Sequence, residues 1–247
     1  MHSLLNLLAP VLDPIVRIDF AVVRFFNQFA NHSLLLDRAV ALLEEMFLLK
    51  GAVFMAAMYW LWFLPSDNID RDRIRILRGL AGTMIAVAVT LTLDHFLPNR
   101  PRPLNEPSLG FILPTGSYDT PVADNSFPSD HGAMFFAVAT IIWLRSRRWG
   151  IIAYLYALVM VFLPRIYAGH HYPSDILAGC AIGGFFVWLS LRVPLPKGLE
   201  EFPIRWERRH PSSFYAVVFM FTTQVATLFW DLRSILHDIG GFLKHYT

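Results

Sequence analysis

Histidine, arginine and carboxylate side chains gather in three short stretches of the chain. These stretches are 95–103, 127–131 and 164–175, and each adjoins a long apolar run. Charged groups at membrane depth are costly, so they indicate a functional site by default. We therefore expect the three stretches to meet at one site.

The residue types in these stretches suit the chemistry of phosphate. Arg102 and Arg165 carry planar, permanently charged guanidinium groups that match phosphate oxygens. Ser129 is typical of a residue that caps the start of a helix, and the free N–H groups of a first helical turn attract anions. The sequence predicts an oxyanion site that includes these three residues.

Two histidines could perform the reaction. His171 and Asp175 are four residues apart, which places them on one face of a helix. Asp175 can then fix the tautomer of His171 and stabilise its charged form, and a histidine so oriented can attack phosphorus. His131, on a different helix, can protonate the leaving oxygen.

Together the stretches resemble the three-part signature of the type 2 phosphatidic acid phosphatase superfamily. That signature reads Lys-x6-Arg-Pro, then Pro-Ser-Gly-His, then Ser-Arg-x5-His-x3-Asp, and its spacing is matched here over 94–184. The resemblance implies a six-helix bundle, hydrolysis without a metal or cofactor, and a phosphohistidine intermediate. It assigns catalysis to His171, His131 and Asp175, and phosphate binding to His95, Arg102, Ser129, Asp130 and Arg165.

Three positions depart from the signature. His95 stands where lysine is usual, so this phosphate contact is neutral near pH 7. Asp130 replaces glycine; its N–H can still bind phosphate, but its carboxylate needs a partner. Pro164 replaces serine.

The amino-acid sequences of the second and third stretches resemble those of one subgroup of this superfamily. Phe-Pro-Ser-Asp-His and Gly-His-His-Tyr-Pro-Ser-Asp are similar to bacterial undecaprenyl pyrophosphate phosphatases of the bacitracin-resistance type. This resemblance implies undecaprenyl pyrophosphate as substrate and a bacterial inner membrane as location. Phosphatidic acid, phosphatidylglycerol phosphate and transfer of phosphate to another acceptor remain alternatives.

Composition indicates a membrane protein and argues against a nucleic-acid partner. Hydrophobic residues make up 55% of the 247-residue chain, with a mean hydropathy of +0.45. Soluble domains contain about 45–50% apolar residues. The net charge of +2 is too small to favour nucleic acid, so the expected partners are the bilayer and a lipid phosphate.

Six apolar runs approach the length of about 20 residues that a membrane helix needs. Backbone groups find no partners in lipid, so each run must be helical. The sequence therefore predicts an all-α, polytopic membrane helix bundle of about six spans in a single domain. The predicted spans cover 46–64, 74–97, 131–144, 149–163, 176–193 and 214–230.

The first five predicted spans form a catalytic core over 46–193, followed by a loop, the sixth span and a tail in 194–247. Charged residues interrupt the apolar residues of 1–45, and this pattern predicts amphipathic helices at the membrane interface. The tail 231–247 alternates in the same way and could form another surface helix.

Arginine distribution sets the expected orientation. Basic residues crowd the loops after the first, third and fifth spans, and such loops stay cytoplasmic. The loops 98–130 and 166–175 would then face the periplasm or the exterior.

Simpler interpretations apply to neighbouring residues. Arg100 falls outside the signature and reads as a rim cation near a lipid headgroup. His170 reads as a structural or rim residue, and Ser174 as a helix cap.

Two other function classes could use some of the same residues. The histidines and Asp175 could bind a metal in a metal-dependent hydrolase, although two arginines at the same site would repel it. A lipid transporter would show repeated halves and broken helices, and the sequence contains neither.

Overall fold

The computed structural model describes residues 2–120 and 125–228. Within these ranges the chain is helical, and its one β-type contact is an isolated bridge between Pro101 and Asn125. The predicted all-α class is confirmed. The helices are α1 (His2–Asn27), α2 (Leu34–Glu45), α3 (Leu48–Phe63), α4 (Ile69–Phe96), α5 (Asp130–Arg145), α6 (Arg147–Tyr167), α7 (Pro173–Arg192), α8 (Lys197–Glu200), α9 (Phe202–Arg209) and α10 (Pro211–Ala226).

Three of the described helices, α4, α6 and α7, are long and apolar enough to cross a membrane. Each predicted run falls on a helix within the described residues, but α5 and α10 have only 16 residues each, and α3 is also short. Polar residues limit α5, because Ser129 and Ser146 occupy its two caps. Length and composition thus support three candidate spans among the described residues, the six that hydropathy predicted remain a prediction, and the tail 231–247 lies outside the described residues.

Glycines bring α5 and α7 into close contact. A Cβ atom at Gly179 would lie 2.1 Å from the Ser129 carbonyl oxygen, and one at Gly183 would lie 2.2 Å from that of Ala133. Glycine is the residue that lets two helix backbones approach this closely. This packing holds the start of α5 beside the start of α7, where the second and third polar stretches lie.

The central helix of the bundle is α5. Its side chains Met134, Phe135 and Val138 are at most 1% exposed, and α3, α4, α6 and α7 all pack against it. Because these helices run up and down, one end of the bundle carries the three polar stretches. The other end carries the arginine-rich turns around 69–78, 145–148 and 192.

The two N-terminal helices turn their apolar residues outward and some of their acids inward. Phe25 and Leu35 are 56% and 82% exposed, whereas Asp19 and Glu44 are 1% and 3% exposed. An exposed apolar face suits a membrane interface, which remains a prediction for 1–45. The buried acids face the end of the bundle that carries the polar stretches.

Candidate active site

Two loops join the first polar stretch to the second. The bridge between Pro101 and Asn125 aligns them, and the Ser126 N–H donates to the Arg100 carbonyl at 2.9 Å. The Asn125 side chain ties the loop to α4, because its Nδ2 donates to the Asp94 carbonyl at 2.9 Å. Arg100 and Ser126 are thereby held over the start of α7.

His171 is buried, and no group among the described residues forms a hydrogen bond with its Nε2. Its Nδ1 lies 2.9 Å from the backbone carbonyl oxygen of Ser126, so Nδ1 carries the proton and donates it. The lone pair of Nε2 is then available for attack on phosphorus. Burial lowers the pKa of His171 well below its usual range, and the nearby charges of Arg102 and Arg165 lower it further.

Asp175 supports His171 indirectly. Its Oδ2 lies 4.0 Å from His171 Nδ1, beyond hydrogen-bonding distance, so the contact expected from the sequence is replaced by the Ser126 carbonyl. Asp175 instead accepts hydrogen bonds from the Ser126 hydroxyl at 2.5 Å and the Tyr172 N–H at 2.7 Å. Asp175 therefore holds Ser126 in place, and the Ser126 carbonyl orients His171.

Arg100 belongs to the interior of the site, which corrects its interpretation as a rim cation. Its guanidinium group lies 2.5 Å from Asp175 and 2.6 Å from Asp19, and it stacks 4.1 Å above the Tyr172 ring. Asp19 of α1 also accepts from the Ser174 N–H and hydroxyl. Ser174 thus donates hydrogen bonds to Asp19. It is not the helix cap that the sequence predicted, because Tyr172 occupies the N-cap of α7.

The second histidine, His131, lies between a carboxylate and an arginine. Its Nδ1 is 2.8 Å from Asp130 Oδ1, and Arg165 Nη2 donates to its Nε2 at 2.5 Å. Asp130 also accepts from the His131 N–H at 2.7 Å. The carboxylate that departs from the family signature is therefore bound to the predicted catalytic acid.

Arg165 is held from behind by Glu44 of α2. Glu44 Oε2 lies 3.3 Å from Arg165 Nη1 and 2.5 Å from His170 Nδ1. Burial raises the pKa of Glu44, but the charge of Arg165 and the hydrogen bond from His170 outweigh it and bring the pKa to about 2. Lys50 donates to the Glu44 backbone carbonyl. His170 is thus a structural residue and not a rim residue.

The remaining predicted residues divide between the site and its surroundings. Ser129 is fully buried, and its hydroxyl oxygen caps α5 by accepting from the Gly132 N–H at 3.2 Å. Arg102 lies close enough for its charge to act on His171. His95 is exposed at the end of α4 and contacts the neighbouring Phe96 ring. The structure therefore brings seven of the eight predicted residues together and leaves His95 aside.

Sequence reasoning missed Asp19, Glu44 and Ser126 as parts of the site. The two acids were visible only as charges that interrupt an apolar N-terminal region. A buried acid is expected to have a cationic partner, but the sequence did not name Arg100 or Arg165 as that partner. Ser126 acts through its backbone, which leaves no sequence signal.

One group of side chains at this site could hold a metal ion. Ligand atoms of Asp130, His131 and His171 lie within 4.8 Å of one another. The guanidinium group of Arg165 contacts His131 from the other side, and a fixed positive charge disfavours a cation there. The charges of this pocket suit an oxyanion better than a metal.

Comparison with known proteins supports the same chemistry. The PAP2 superfamily model matches residues 75–198. Undecaprenyl-diphosphatase BcrC of Bacillus subtilis is 26% identical over 176 residues, which are 70% of this chain and 83% of that protein. The putative undecaprenyl-diphosphatase YbjG of Escherichia coli is 31% identical over 129 residues, 52% of this chain and 59% of that protein.

A lipid A 4'-phosphatase of Bacteroides thetaiotaomicron is 35% identical over 121 residues, 43% of this chain and 51% of that protein. No solved structure shows significant similarity to the chain. The family match covers half of the chain, including all three polar stretches. The chain therefore belongs to the PAP2 superfamily and is a phosphatase.

Proposed function

We propose that this phosphatase converts undecaprenyl pyrophosphate to undecaprenyl phosphate, with His171 as the nucleophile. The observation that carries the proposal is the state of His171: its Nδ1–H is donated to Ser126, so its Nε2 is free. The names of two relatives support the substrate. The lipid A 4'-phosphatase supports a lipid phosphate more generally.

The first chemical step forms the phosphohistidine. His171 Nε2 attacks the terminal phosphorus, the bond to the bridging oxygen breaks, and His131 donates a proton to that oxygen. His131 Nε2 is an acceptor of Arg165 in this structure, so it must first gain a proton. Phosphate oxygens that take over the Arg165 donor would release Nε2, and Asp130 would stabilise the resulting imidazolium.

The second step hydrolyses the intermediate. Water attacks the phosphorus while His131, now neutral, accepts a proton from it. The phosphorus–nitrogen bond breaks, inorganic phosphate leaves, and His171 regains its lone pair. Both steps place extra negative charge on the phosphoryl oxygens, which Arg102 and Arg165 are positioned to stabilise.

Five residues behind the two histidines act as positioning residues in this proposal. Asp19 holds Arg100, Arg100 holds Asp175, and Asp175 holds Ser126 against His171. Glu44 holds Arg165 against His131. Ser129 and the N–H groups at the start of α5 remain predicted phosphate contacts, whereas His95, which the signature also assigns to phosphate, is exposed and stands apart from them.

We further propose that six helices cross the inner membrane of a bacterium and that the site faces the periplasm. Arginines concentrated at the opposite end of the bundle support this orientation. The core 46–193 would carry catalysis, and 1–45 would lie at the membrane interface. A cysteine at Asp119, which is exposed in the same loop, should react with an impermeant thiol reagent in intact cells in a Cys180→Ala background. A cysteine at Ser146 should react only after permeabilisation; the reverse pattern would invert the orientation.

A substrate panel tests the reaction. Purified protein should release phosphate fastest from undecaprenyl pyrophosphate, and more slowly from phosphatidic acid, phosphatidylglycerol phosphate and a soluble diphosphate. A preference for phosphatidic acid would assign a different lipid to the same site. Recovery of the phosphate on an alcohol acceptor in place of water would indicate a transferase.

A metal-dependent hydrolase is the second candidate, because Asp130, His131 and His171 lie within ligand distance of one another. The proposed mechanism uses no metal, so hydrolysis should persist in excess EDTA, and vanadate should inhibit as a mimic of the transition state. Activity that EDTA abolishes and zinc or magnesium restores would favour the metal enzyme.

A further inference from the structure

A large cavity lies at the arginine-rich end of the bundle, opposite the catalytic end. It encloses about 700 Å³ between α4, α5 and α7, and α9 closes its far side. From Asp175 to Arg192 the bundle extends about 25 Å, at 1.5 Å per helical residue. The cavity is therefore a separate site from the one that holds His171.

Positive charge predominates in the cavity. Seven arginines line it, against four carboxylates. Several of the arginines are paired: Arg78 lies 2.8 Å from Glu200, and Arg208 lies 2.5 Å from Asp70. Arg71 and Arg192, by contrast, form no ion pair with any carboxylate among the described residues. Two fixed cations are thus available to an anionic ligand.

The rest of the lining is aliphatic. Ile74, Ile141, Leu144 and Leu191 contribute side chains to the wall, and Leu144 is 54% exposed. A small soluble anion would gain nothing from such a wall, whereas a molecule with both an anionic head and aliphatic chains would use both surfaces.

A tryptophan indicates the depth of the cavity in the membrane. Trp188 is 52% exposed on α7, and the Arg192 guanidinium group lies 5.6 Å from its ring. Tryptophan side chains favour the level of lipid headgroups. Arg192 is therefore at the depth where a phospholipid phosphate would lie.

We propose that this cavity binds an anionic phospholipid from the leaflet that surrounds the arginine-rich end. The headgroup phosphate would contact Arg71 and Arg192, and the acyl chains would follow the aliphatic wall. Basic pockets between membrane helices bind anionic headgroups in this way. The bound lipid is a phosphodiester, so it is a ligand of this site and not a substrate of His171.

Native mass spectrometry of the full-length protein in detergent tests this proposal. Phosphatidylglycerol should be retained in preference to phosphatidylcholine of the same chain length. Arg71→Gln/Arg192→Gln should weaken phosphatidylglycerol binding roughly 10- to 30-fold, from about 1 kcal/mol per arginine. The charge-conserving Arg71→Lys/Arg192→Lys variant should retain most of the binding, which separates lost charge from misfolding.

The matched control removes the same charge from the same end of the bundle. Arg147 and Arg148 begin α6, are exposed and lie outside the cavity lining; Arg147→Gln/Arg148→Gln should leave binding unchanged. Equal losses in both glutamine variants would show only surface attraction and would overturn the site. Displacement by millimolar inorganic phosphate would overturn the lipid assignment. The inactive His171→Ala variant should bind phosphatidylglycerol as wild type does, because the cavity is separate from the active site. Lipid binding can therefore be tested whether or not the proposed phosphatase mechanism is correct.

Discussion

The two histidines of the active site differ in the group that their Nδ1 atom contacts. His171 gives its Nδ1 proton to a neutral backbone carbonyl, and the nearest carboxylate oxygen of Asp175 is 4.0 Å away. His131 has a carboxylate oxygen of Asp130 directly against its Nδ1, at 2.8 Å. Both rings are oriented through Nδ1, but only one of them touches a negative charge.

The difference fits the two proposed roles. A nucleophile must stay neutral, and burial together with the charges of Arg102 and Arg165 holds the pKa of His171 well below its usual range. A general acid must be able to hold a proton, and a carboxylate favours the charged imidazolium. The two rings thus differ in the partner of Nδ1, which is a neutral carbonyl for the proposed nucleophile and a carboxylate for the proposed acid. Five variants test whether this difference matters for catalysis.

The largest effect is expected from His171→Ala. Without the nucleophile no covalent phosphoenzyme forms, so kcat should fall about 10⁴-fold or more on every substrate. Acid-labile, alkali-stable labelling from radiolabelled substrate should appear in wild type and vanish in this variant. Label that persists in His171→Ala would assign the nucleophile to another residue.

His131→Ala should produce a loss that depends on the leaving group. On alkyl phosphates, whose leaving oxygen needs a proton, kcat should fall about 10²- to 10⁴-fold. On a nitrophenyl phosphate, whose leaving oxygen is stable without a proton, activity should recover in part. Rescue of His171→Ala in place of His131→Ala by the nitrophenyl substrate would reverse the two roles.

Arg102→Gln tests the charges that keep His171 neutral. Loss of a phosphate contact should lower kcat/KM about 10- to 100-fold. Removal of a positive charge should also raise the pKa of His171, so the acid limb of the kcat/KM profile should move to higher pH. Arg102→Lys keeps the charge and should leave the acid limb in place. If the acid limb of the profile moved in neither variant, Arg102 would have no influence on the pKa of His171.

Asp130→Gly restores the residue of the family signature and removes the carboxylate from His131. Activity on alkyl phosphates should fall about tenfold, in line with the loss of a charged hydrogen bond. The nitrophenyl substrate should be affected less, because it does not need the acid. An equal loss on both substrates would mean that Asp130 serves phosphate binding or folding instead.

The smallest effect is expected from His95→Ala. The side chain is exposed and stands apart from the cluster, so kcat and KM should stay within about a factor of two of wild type. A large rise in KM would show that His95 moves into the site and binds phosphate, as the family signature implies.

The sequence identified the residues that meet at this site better than the side chains that hold them in place. Arg165, His171 and Asp175 follow from the identity and spacing of residues within one stretch, and so does the cap at Ser129. Arg100 could not be interpreted correctly, because its partner Asp19 is 81 residues away. A long-range ion pair has no periodicity that a single sequence can reveal.

For the helices too, local features could be predicted from the sequence and long-range contacts could not. Hydropathy located all six runs, because apolar length is a local property. It did not give the lengths of the helices, since the ends of α5 are decided by the capping residues Ser129 and Ser146. The closeness of α5 and α7 depends on Gly179 and Gly183, whose role appears only when the facing carbonyls are known.

The pairing of Asp19 with Ser174 has a consequence for the order in which the protein is made. The two residues are 155 positions apart, and at 5–20 residues per second a ribosome needs roughly 8–30 s to synthesise that interval. During this time Asp19 has left the ribosome and its partner on α7 does not yet exist. The growing chain must therefore keep that carboxylate hydrated or paired with Arg100 until α7 arrives, and the active site is completed only once α7 has been synthesised.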